Sequence, residues 1–169
     1  MSNVYVLTDG TSRGAKLLAA RPFQPGEIVY DFANALVTPL QTYQTIQIDP
    51  SNHVIADDLL AKLNHSCDPN LIVDTTHRLV IAKYAIQIHD HLTFFYPSTE
   101  WEMAEPFVCQ CGAANCLGWI SGAKNLAAEM LTGYFLNQHI VELMTYTGVR
   151  RDPLPFNLYD AQASLPPVS

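Results

Sequence analysis

Three of the four cysteines of this 169-residue chain fall within eight residues, and this cluster restricts the fold more than any other feature. Cys109, Cys111 and Cys116 form the pattern Cys-x-Cys-x4-Cys, and Cys67 stands well before them. A disulfide framework would be denser and typical of a secreted chain, so the pattern indicates a metal site in an intracellular protein. Four ordinary reduced cysteines are the alternative interpretation.

Composition limits the class of partner. Apolar residues make up 49% of the chain, enough for a core, and 16 acidic against 9 basic residues give a net charge of −7. This charge argues against direct nucleic-acid binding driven by phosphates and suits a basic peptide. With no membrane-length apolar stretch and no signal-peptide core, we expect an intracellular protein of the cytoplasm or nucleus with no membrane partner.

Short runs of β-forming residues separated by turns dominate the chain up to Tyr96. They predict a compact, β-rich α+β domain, with local helical character at Ala56 to Leu63. The expected strands are Val4–Leu7, Leu17–Ala20, Ile28–Phe32, Thr45–Ile48, Leu71–Val73, Leu79–Tyr84 and Leu92–Tyr96.

The segment from Ala123 to Thr147 lacks proline and has one internal glycine, Gly133. We predict a long helix packed on the body, with core packing as the role of its apolar face. The residues on that face are Leu126, Met130, Tyr134, Gln138 and Val141. The expected organisation is a domain over 1–122, this helix within 123–148, and a proline-rich tail over 149–169.

The polar string Asn64-His-Ser-Cys-Asp-Pro-Asn70 separates the helical segment from an apolar strand. Asparagine and histidine donate and accept hydrogen bonds in fixed directions, so they suit the edge of a purine ring. Pro69 stiffens the turn that holds them. Taken by itself, His65 is more often a structural histidine.

This string resembles the signature of the SET-domain methyltransferases, and the resemblance extends on both sides. Residues 14–27 are similar to the family's first motif, Gly-x-Gly-Leu followed by a Gly-Glu turn. Residues 79–96 resemble its strand, turn and catalytic strand, and residues 107–120 its post-SET zinc segment. The match, over residues 10–122, implies a SET-domain fold of small β-sheets with a knot-like C-terminal segment, a post-SET zinc lid and a C-terminal helix.

A four-thiolate zinc site suits both the cysteine pattern and the resemblance. Cys67, Cys109, Cys111 and Cys116 would fill a tetrahedral site completely and leave no position for a substrate. Since Cys67 belongs to the polar string, the metal would tie that string to the lid. The zinc is therefore expected to be structural.

The cofactor implied by the resemblance is S-adenosylmethionine. The backbone of Arg13, Gly14 and Ala15 would cradle its methionine end, and Asn64 and His65 its adenine. The remaining residues assigned by the resemblance are Tyr43, near the short insert between Leu36 and Ile55, and Phe107 and Ile120, which close from the lid. Phe107 and Ile120 could equally be core residues.

The resemblance assigns catalysis to Tyr96. An in-line methyl transfer requires alignment and a place for charge, and a lysine nucleophile must first lose a proton. The Tyr96 hydroxyl would accept from the neutral amine, with Phe32 and Phe94 beside the substrate channel. Phe94, in place of tyrosine, leaves room for higher methylation states. A buried tyrosine with a satisfied hydroxyl is the structural alternative.

Four positions depart from the family pattern. Lys16 replaces the second glycine of the first motif, and its cation can pair with the cofactor carboxylate. Phe32 replaces a frequent aromatic hydroxyl, Phe95 the usual aspartate, and Pro97 the usual glycine. These departures leave three hypotheses open: a protein-lysine methyltransferase, a SET-fold enzyme acting on a small molecule in a biosynthetic pathway, with or without methyl transfer, or a non-catalytic binding module.

Overall fold

A computed structural model describes residues 4–7 and 15–148. Arg13, Gly14 and the tail at 149–169, which figure in the sequence predictions, lie outside these residues. The described strands are short and form five small sheets: β1 Val4–Leu7, β2 Lys16–Ala19, β3 Ile28–Asp31, β4 Val37–Thr38, β5 Thr45–Gln47, β6 His53–Ile55, β7 Asn64–His65, β8 Leu71–Asp74, β9 Leu79–Ala82, β10 Thr93–Phe94, β11 Phe107–Val108 and β12 Trp119–Ile120.

The central sheet has the order β3-β9-β8, and all of its pairs are antiparallel. Both outer strands carry apolar residues that pack into the main core, and every residue of β8 is buried. Burial of such residues is the main favourable contribution to folding. The hairpin of β1 and β2 adds Val4, Leu17 and Ala19 to the same core.

One of the other three sheets contains part of the polar string. β4, β6 and β5 form an antiparallel sheet, and β11 and β12 form a hairpin from residues near the cysteines. β7, which is part of the polar string, pairs in parallel with β10. This parallel pairing joins segments that are almost 30 residues apart in sequence, with Asn64 opposite Thr93 and His65 opposite Phe94.

The prediction of one long helix from Ala123 to Thr147 is wrong. The α-helix described in this part of the chain, α1, covers only Gln138–Tyr146. Before it come two 3₁₀ turns, Ala123–Asn125 and Ala128–Leu131. The predicted buried face of this helix is also wrong, because Met130 is 41% exposed and Gln138 is exposed.

Two features stop a continuous helix in this segment. Leu126 and Ala127, which separate the two 3₁₀ turns, have extended backbones with ψ of 138° and 147°. Gly133 has a φ of 87°, a left-handed conformation that a right-handed helix excludes. The core residues of this region are instead Leu126, Leu131, Leu136, Ile140 and Met144.

The predicted β-rich α+β class is confirmed by these sheets. The predicted strands are present with ends within two residues of those expected, and the last one is shorter than predicted. Only Thr93–Phe94 is strand there, and Tyr96–Ser98 is a 3₁₀ turn. The helical segment before the polar string is a single 3₁₀ turn, Leu60–Lys62. No helix within the described ranges has the length and apolar character needed to cross a membrane.

Candidate active site and metal centre

Pairing of β7 with β10 places the polar string beside the strand that leads to Tyr96. The Tyr96 hydroxyl donates to the carbonyl oxygen of Leu63 (2.8 Å), and its backbone amide donates to Nδ1 of His65 (3.2 Å). Its ring lies against Phe94 and Phe107, with ring centres 4.8 and 6.0 Å away. Burial, with a contribution from nearby Glu100, raises the pKa of Tyr96, so the phenol stays protonated at neutral pH.

His65 connects this tyrosine to the cysteines. Burial lowers the pKa of His65 to about 4, so its ring is neutral near pH 7. Because Nδ1 accepts from Tyr96, the ring proton is on Nε2, which lies 3.3 Å from the sulfur of Cys67. Both ring nitrogens are therefore engaged by protein groups. Stacking is the interaction left for this ring with a bound adenine.

The asparagines of the polar string fix its position by hydrogen bonds. Nδ2 of Asn64 donates to the carbonyl oxygen of Ala15 (2.9 Å) and lies 3.2 Å from Nε2 of His91. Asn70 donates to the carbonyl of His91 (3.0 Å) and accepts from the amide of Thr93 (2.9 Å). These bonds hold the string against both β2 and β10.

The four cysteines converge as the sequence predicts. The sulfur atoms of Cys67, Cys109, Cys111 and Cys116 all lie within 4.8 Å of one another. A zinc ion with bonds of about 2.3 Å to each thiolate separates the sulfurs by about 3.8 Å. The distance between the sulfurs of Cys67 and Cys109 is 3.9 Å. The geometry therefore fits a tetrahedral four-thiolate site.

The thiols of this cluster differ in protonation: against the effect of burial, hydrogen bonds lower the pKa of Cys111 to about 6. Burial raises the pKa of Cys67 to about 11, and it raises the pKa of Cys109 as well. Without a metal these thiols keep their protons at neutral pH, and zinc binding releases them. The amide of Leu117 donates to the Cys67 sulfur (3.4 Å), a bond that suits a thiolate.

A cavity of about 980 Å³ opens between the polar string, the Tyr96 turn and the lid. Small-molecule and cofactor sites typically measure about 300–1,000 Å³, so a nucleoside cofactor and a substrate side chain can both fit. Nine of the predicted site residues line this cavity: Lys16, Tyr43, Asn64, His65, Phe94, Tyr96, Phe107, Cys109 and Cys111.

The structure separates three predicted site residues from the cavity wall. Phe32, expected beside the substrate channel, is 4% exposed and belongs to the main core. Ile120 is fully buried with Cys67 and Cys109 behind the lid, so core packing is its role. Ala15 is buried, and its carbonyl accepts from Asn64. The presence of an apolar residue in a motif does not by itself show whether its side chain lines the cavity or packs in the core.

Two residues near the site were not predicted from the sequence. Tyr134 stacks on Phe95 with ring centres 3.8 Å apart, and its hydroxyl donates to the carbonyl of Cys67 (2.6 Å). Phe95 thus replaces the family's aspartate with an aromatic contact that links the metal centre to the C-terminal segment.

The second unpredicted residue, Glu100, is buried on the cavity wall. Its Oε1 accepts from the amide of Gln47 (2.9 Å) and the hydroxyl of Thr99 (3.1 Å). Burial raises the pKa of Glu100 to about 7, against the effect of hydrogen bonds from Gln47, Thr99 and Gln41. In the sequence, only its position four residues after Tyr96 indicated that Glu100 could lie near the site.

Comparison with known sequences gives one relative of similar extent and several partial ones. No family model matches the sequence. The chain is 38% identical over 132 residues to "Methyltransferase flvH" of Aspergillus flavus, which covers 77% of this chain and 73% of that protein. It is 34% identical over 91 residues to "Histone-lysine N-methyltransferase, H3 lysine-36 specific" of Candida albicans, half of this chain but only 10% of that protein.

Solved structures share the fold. Two crystal structures of KRYPTONITE are similar, one in complex with mCHG DNA and SAH and one with mCHH DNA, H3(1-15) peptide and SAH. Their TM-scores are 0.55 and 0.53 at 22% identity. The similarity covers 69% and 70% of this chain, and 28% and 29% of those chains.

Proposed function

Because the chain belongs to the SET-domain methyltransferase family, we propose that it transfers a methyl group from S-adenosylmethionine to a lysine side-chain amine of a peptide or protein. The observation that carries this proposal is the position of Tyr96. Tyr96 lines a large cavity that is also lined by residues of β7, β10 and the lid, and its hydroxyl is held by the carbonyl of Leu63.

The proposed cofactor site is the part of the cavity near β2, β7 and the lid. S-adenosylmethionine would supply a methyl group already activated as part of a sulfonium. Lys16 would pair with its carboxylate, and the rings of His65 and Phe107 offer apolar faces to the adenine. Tyr43 lines the same cavity, and the backbone at Arg13 to Ala15 is proposed to complete the site.

Tyr96 is suited to orient an amine. Its hydroxyl hydrogen is directed to the carbonyl of Leu63, so the oxygen lone pairs are available to accept an N–H from a substrate. Phe94 packs against the Tyr96 ring and lines the cavity, which would surround the amine with apolar surface. Such surroundings favour the neutral, nucleophilic amine.

A basic peptide is the proposed partner. The Candida albicans relative is named for histone H3 lysine 36, and one similar structure contains an H3 peptide. The net charge of −7 would attract such a segment. Those structures also contain DNA, but we propose no direct nucleic-acid contact here, because an acidic chain is repelled by phosphates. The unpaired cysteines support a proposed location inside the cell, in the cytoplasm or nucleus.

A small amine is the second candidate substrate. The relative with which this chain shares most of its length, from Aspergillus flavus, is named a methyltransferase without mention of a histone. The insert between Leu36 and Ile55 is short, so little of this protein is available to hold a long peptide. Offering peptides and free amines side by side separates the two candidates.

The experiment measures transfer of a labelled methyl group from S-adenosylmethionine to lysine peptides and to small alkyl amines. Tyr96→Phe should lower the rate about 100-fold, the usual effect of losing one orienting polar group. Tyr84→Phe, at a half-exposed surface tyrosine, is the matched control and should match the wild-type rate. An unchanged rate in Tyr96→Phe would contradict the role of the phenol.

A further inference from the structure

Glu100 is a buried carboxylate on the wall of the cavity that also holds Tyr96, and the proposed reaction does not yet use it. It is 8% exposed, and its backbone amide donates to the carbonyl of Tyr96 (3.0 Å), so one tight turn carries both side chains. We infer that Glu100 contacts the substrate amine and accepts its proton. This inference rests on the proposed function, because it assumes an amine substrate in this cavity.

The hydrogen bonds to Glu100 leave its charge without a cation. The amide of Gln47, the hydroxyl of Thr99 and the side chain of Gln41 are all neutral donors. A buried carboxylate is costly unless a positive group compensates it. A substrate ammonium entering the cavity provides that compensation.

Strand β5 fixes the position of this carboxylate. Gln47 donates through its backbone to Oε1 of Glu100, and its side-chain oxygen accepts from the amide of Trp101 (2.8 Å). The side chain of Glu100 and the backbone of the next residue are therefore bonded to the same strand residue. A carboxylate held this firmly can present a constant geometry to an amine.

The proposed step moves one proton. An N–H bond of the substrate ammonium breaks, its electron pair stays on nitrogen, and an O–H bond forms on the Glu100 carboxylate. The nitrogen lone pair is then free to take the methyl group, and the carboxylic acid returns the proton to solvent. The net release of one proton matches that of amine methylation.

Other titratable groups line the same cavity or lie close to it. They are Lys16, Tyr43, Lys62, His65, His91, Tyr96, Glu105, Cys109, Cys111, His139 and the Glu102–Lys124 pair. The raised pKa of Tyr96 and the lowered pKa values of the three histidines leave these four groups neutral near pH 7. Glu102, Lys124 and Glu105 are exposed, where water screens their charge.

The kinetic test compares Glu100→Gln with the wild type from about pH 6 to 10. Glutamine keeps the acceptor oxygen for Gln47 and Thr99, so the fold should survive, and unchanged thermal unfolding checks this. We expect kcat to fall about 100-fold near neutral pH, with the rising limb of the profile moved to higher pH. Glu102→Gln, at the exposed neighbour, should keep the wild-type profile. An unmoved limb in Glu100→Gln overturns the inference.

A second readout does not depend on turnover. Carbon-13 NMR of labelled glutamate follows the titration of Glu100, identified by its absence in Glu100→Gln, with and without n-butylamine. Bound butylammonium should lower the apparent pKa of Glu100 by about one unit. An identical titration with and without the amine overturns the inference. If the wild type methylates no amine, the proposed function fails, while this titration still decides whether Glu100 contacts one.

Discussion

Hydrogen bonds fix the orientation of the Tyr96 and His65 side chains. The Tyr96 hydroxyl donates to Leu63, and His65 accepts from Tyr96 on one nitrogen while the other faces Cys67. The Tyr96 turn and the cysteine cluster therefore share contacts with one imidazole. This arrangement explains how a structural metal site can control the position of the proposed catalytic group.

His53 differs from these residues because it is buried without a hydrogen-bond partner for either ring nitrogen within the described part of the chain. Burial lowers the pKa of His53, against the attraction of Asp49. The native ring is therefore neutral, whereas the unfolded chain takes up a proton below about pH 6.5. Stability should fall as the pH drops below that value.

The measurement is urea unfolding at about pH 7.5 and about pH 5.5. His53→Leu keeps an apolar side chain at this buried site and removes the titration. The variant should lose less unfolding free energy than the wild type between the two pH values. Equal losses in both proteins would show that His53 does not contribute to the pH dependence.

At the scale of elements, α1 is attached to the central sheet through the residue before it. Asn137 occupies the N-cap position but makes no side-chain cap bond. Its side chain instead accepts from the amide of Thr75 (2.8 Å) and donates to the carbonyls of Val73 (2.9 Å) and Ser98 (2.8 Å). One buried amide thus joins the helix, the sheet and the Tyr96 turn.

Asn137→Ala should therefore destabilise the protein far more than loss of a cap. The Thr75 amide loses its partner and the carbonyls of Val73 and Ser98 each lose a donor, so we expect a loss of about 3 kcal/mol. Gln138→Ala, one residue later on the exposed face, should cost under about 0.5 kcal/mol. Urea denaturation of both variants measures the difference, and equal values would show that the network contributes little.

The sequence predicted best the elements whose local residue pattern favours the same secondary structure that the folded chain adopts. Val4–Leu7 and Leu71–Val73 have β-forming side chains and are strands. The segment after Ala123 has good helical propensity, but the extended backbone at Leu126 and Ala127 and the left-handed Gly133 interrupt a helix there. Two-residue strands such as β11 are too short to leave a periodic signal.

The same distinction applies to the site. The spacing of the cysteines and the polar pair Asn64–His65 could be recognised in the sequence. The structure brings the four cysteines together and places Asn64 and His65 beside β10. Glu100 resembles any surface acid in the sequence, because only the packing of β5 against the Tyr96 turn buries it. Phe32 shows the opposite case. It was predicted beside the substrate channel, but the tertiary structure places this apolar side chain in the main core.

In the whole molecule, the cysteine site joins regions that are far apart in the chain. Cys67 belongs to the polar string, and the other three cysteines lie in the loop between the lid strands β11 and β12. Val108 and Trp119 of the lid are exposed, and its buried apolar contacts centre on Ile120, which packs on Cys67 and Cys109. Because these contacts surround the cysteines, we expect the position of the lid to depend on the metal.

Metal analysis should find about one zinc ion per chain. Removing it with a chelator should expose the amides of β11 and β12 to hydrogen exchange while β8 and β9 stay protected. Cys67→Ser should give the same pattern without a chelator. Less than one zinc per chain, or lid protection that survives metal removal, would contradict the structural role of the site.

The central claim is that the cavity between the polar string, Tyr96 and the lid binds a methyl-donor nucleoside. A crystal structure of the protein grown with S-adenosylhomocysteine tests it directly. We predict one nucleoside in the cavity, with its adenine against His65 and Phe107, its carboxylate near Lys16, and its sulfur directed toward Tyr96. Side chains filling that cavity, or the nucleoside bound elsewhere, would contradict the account.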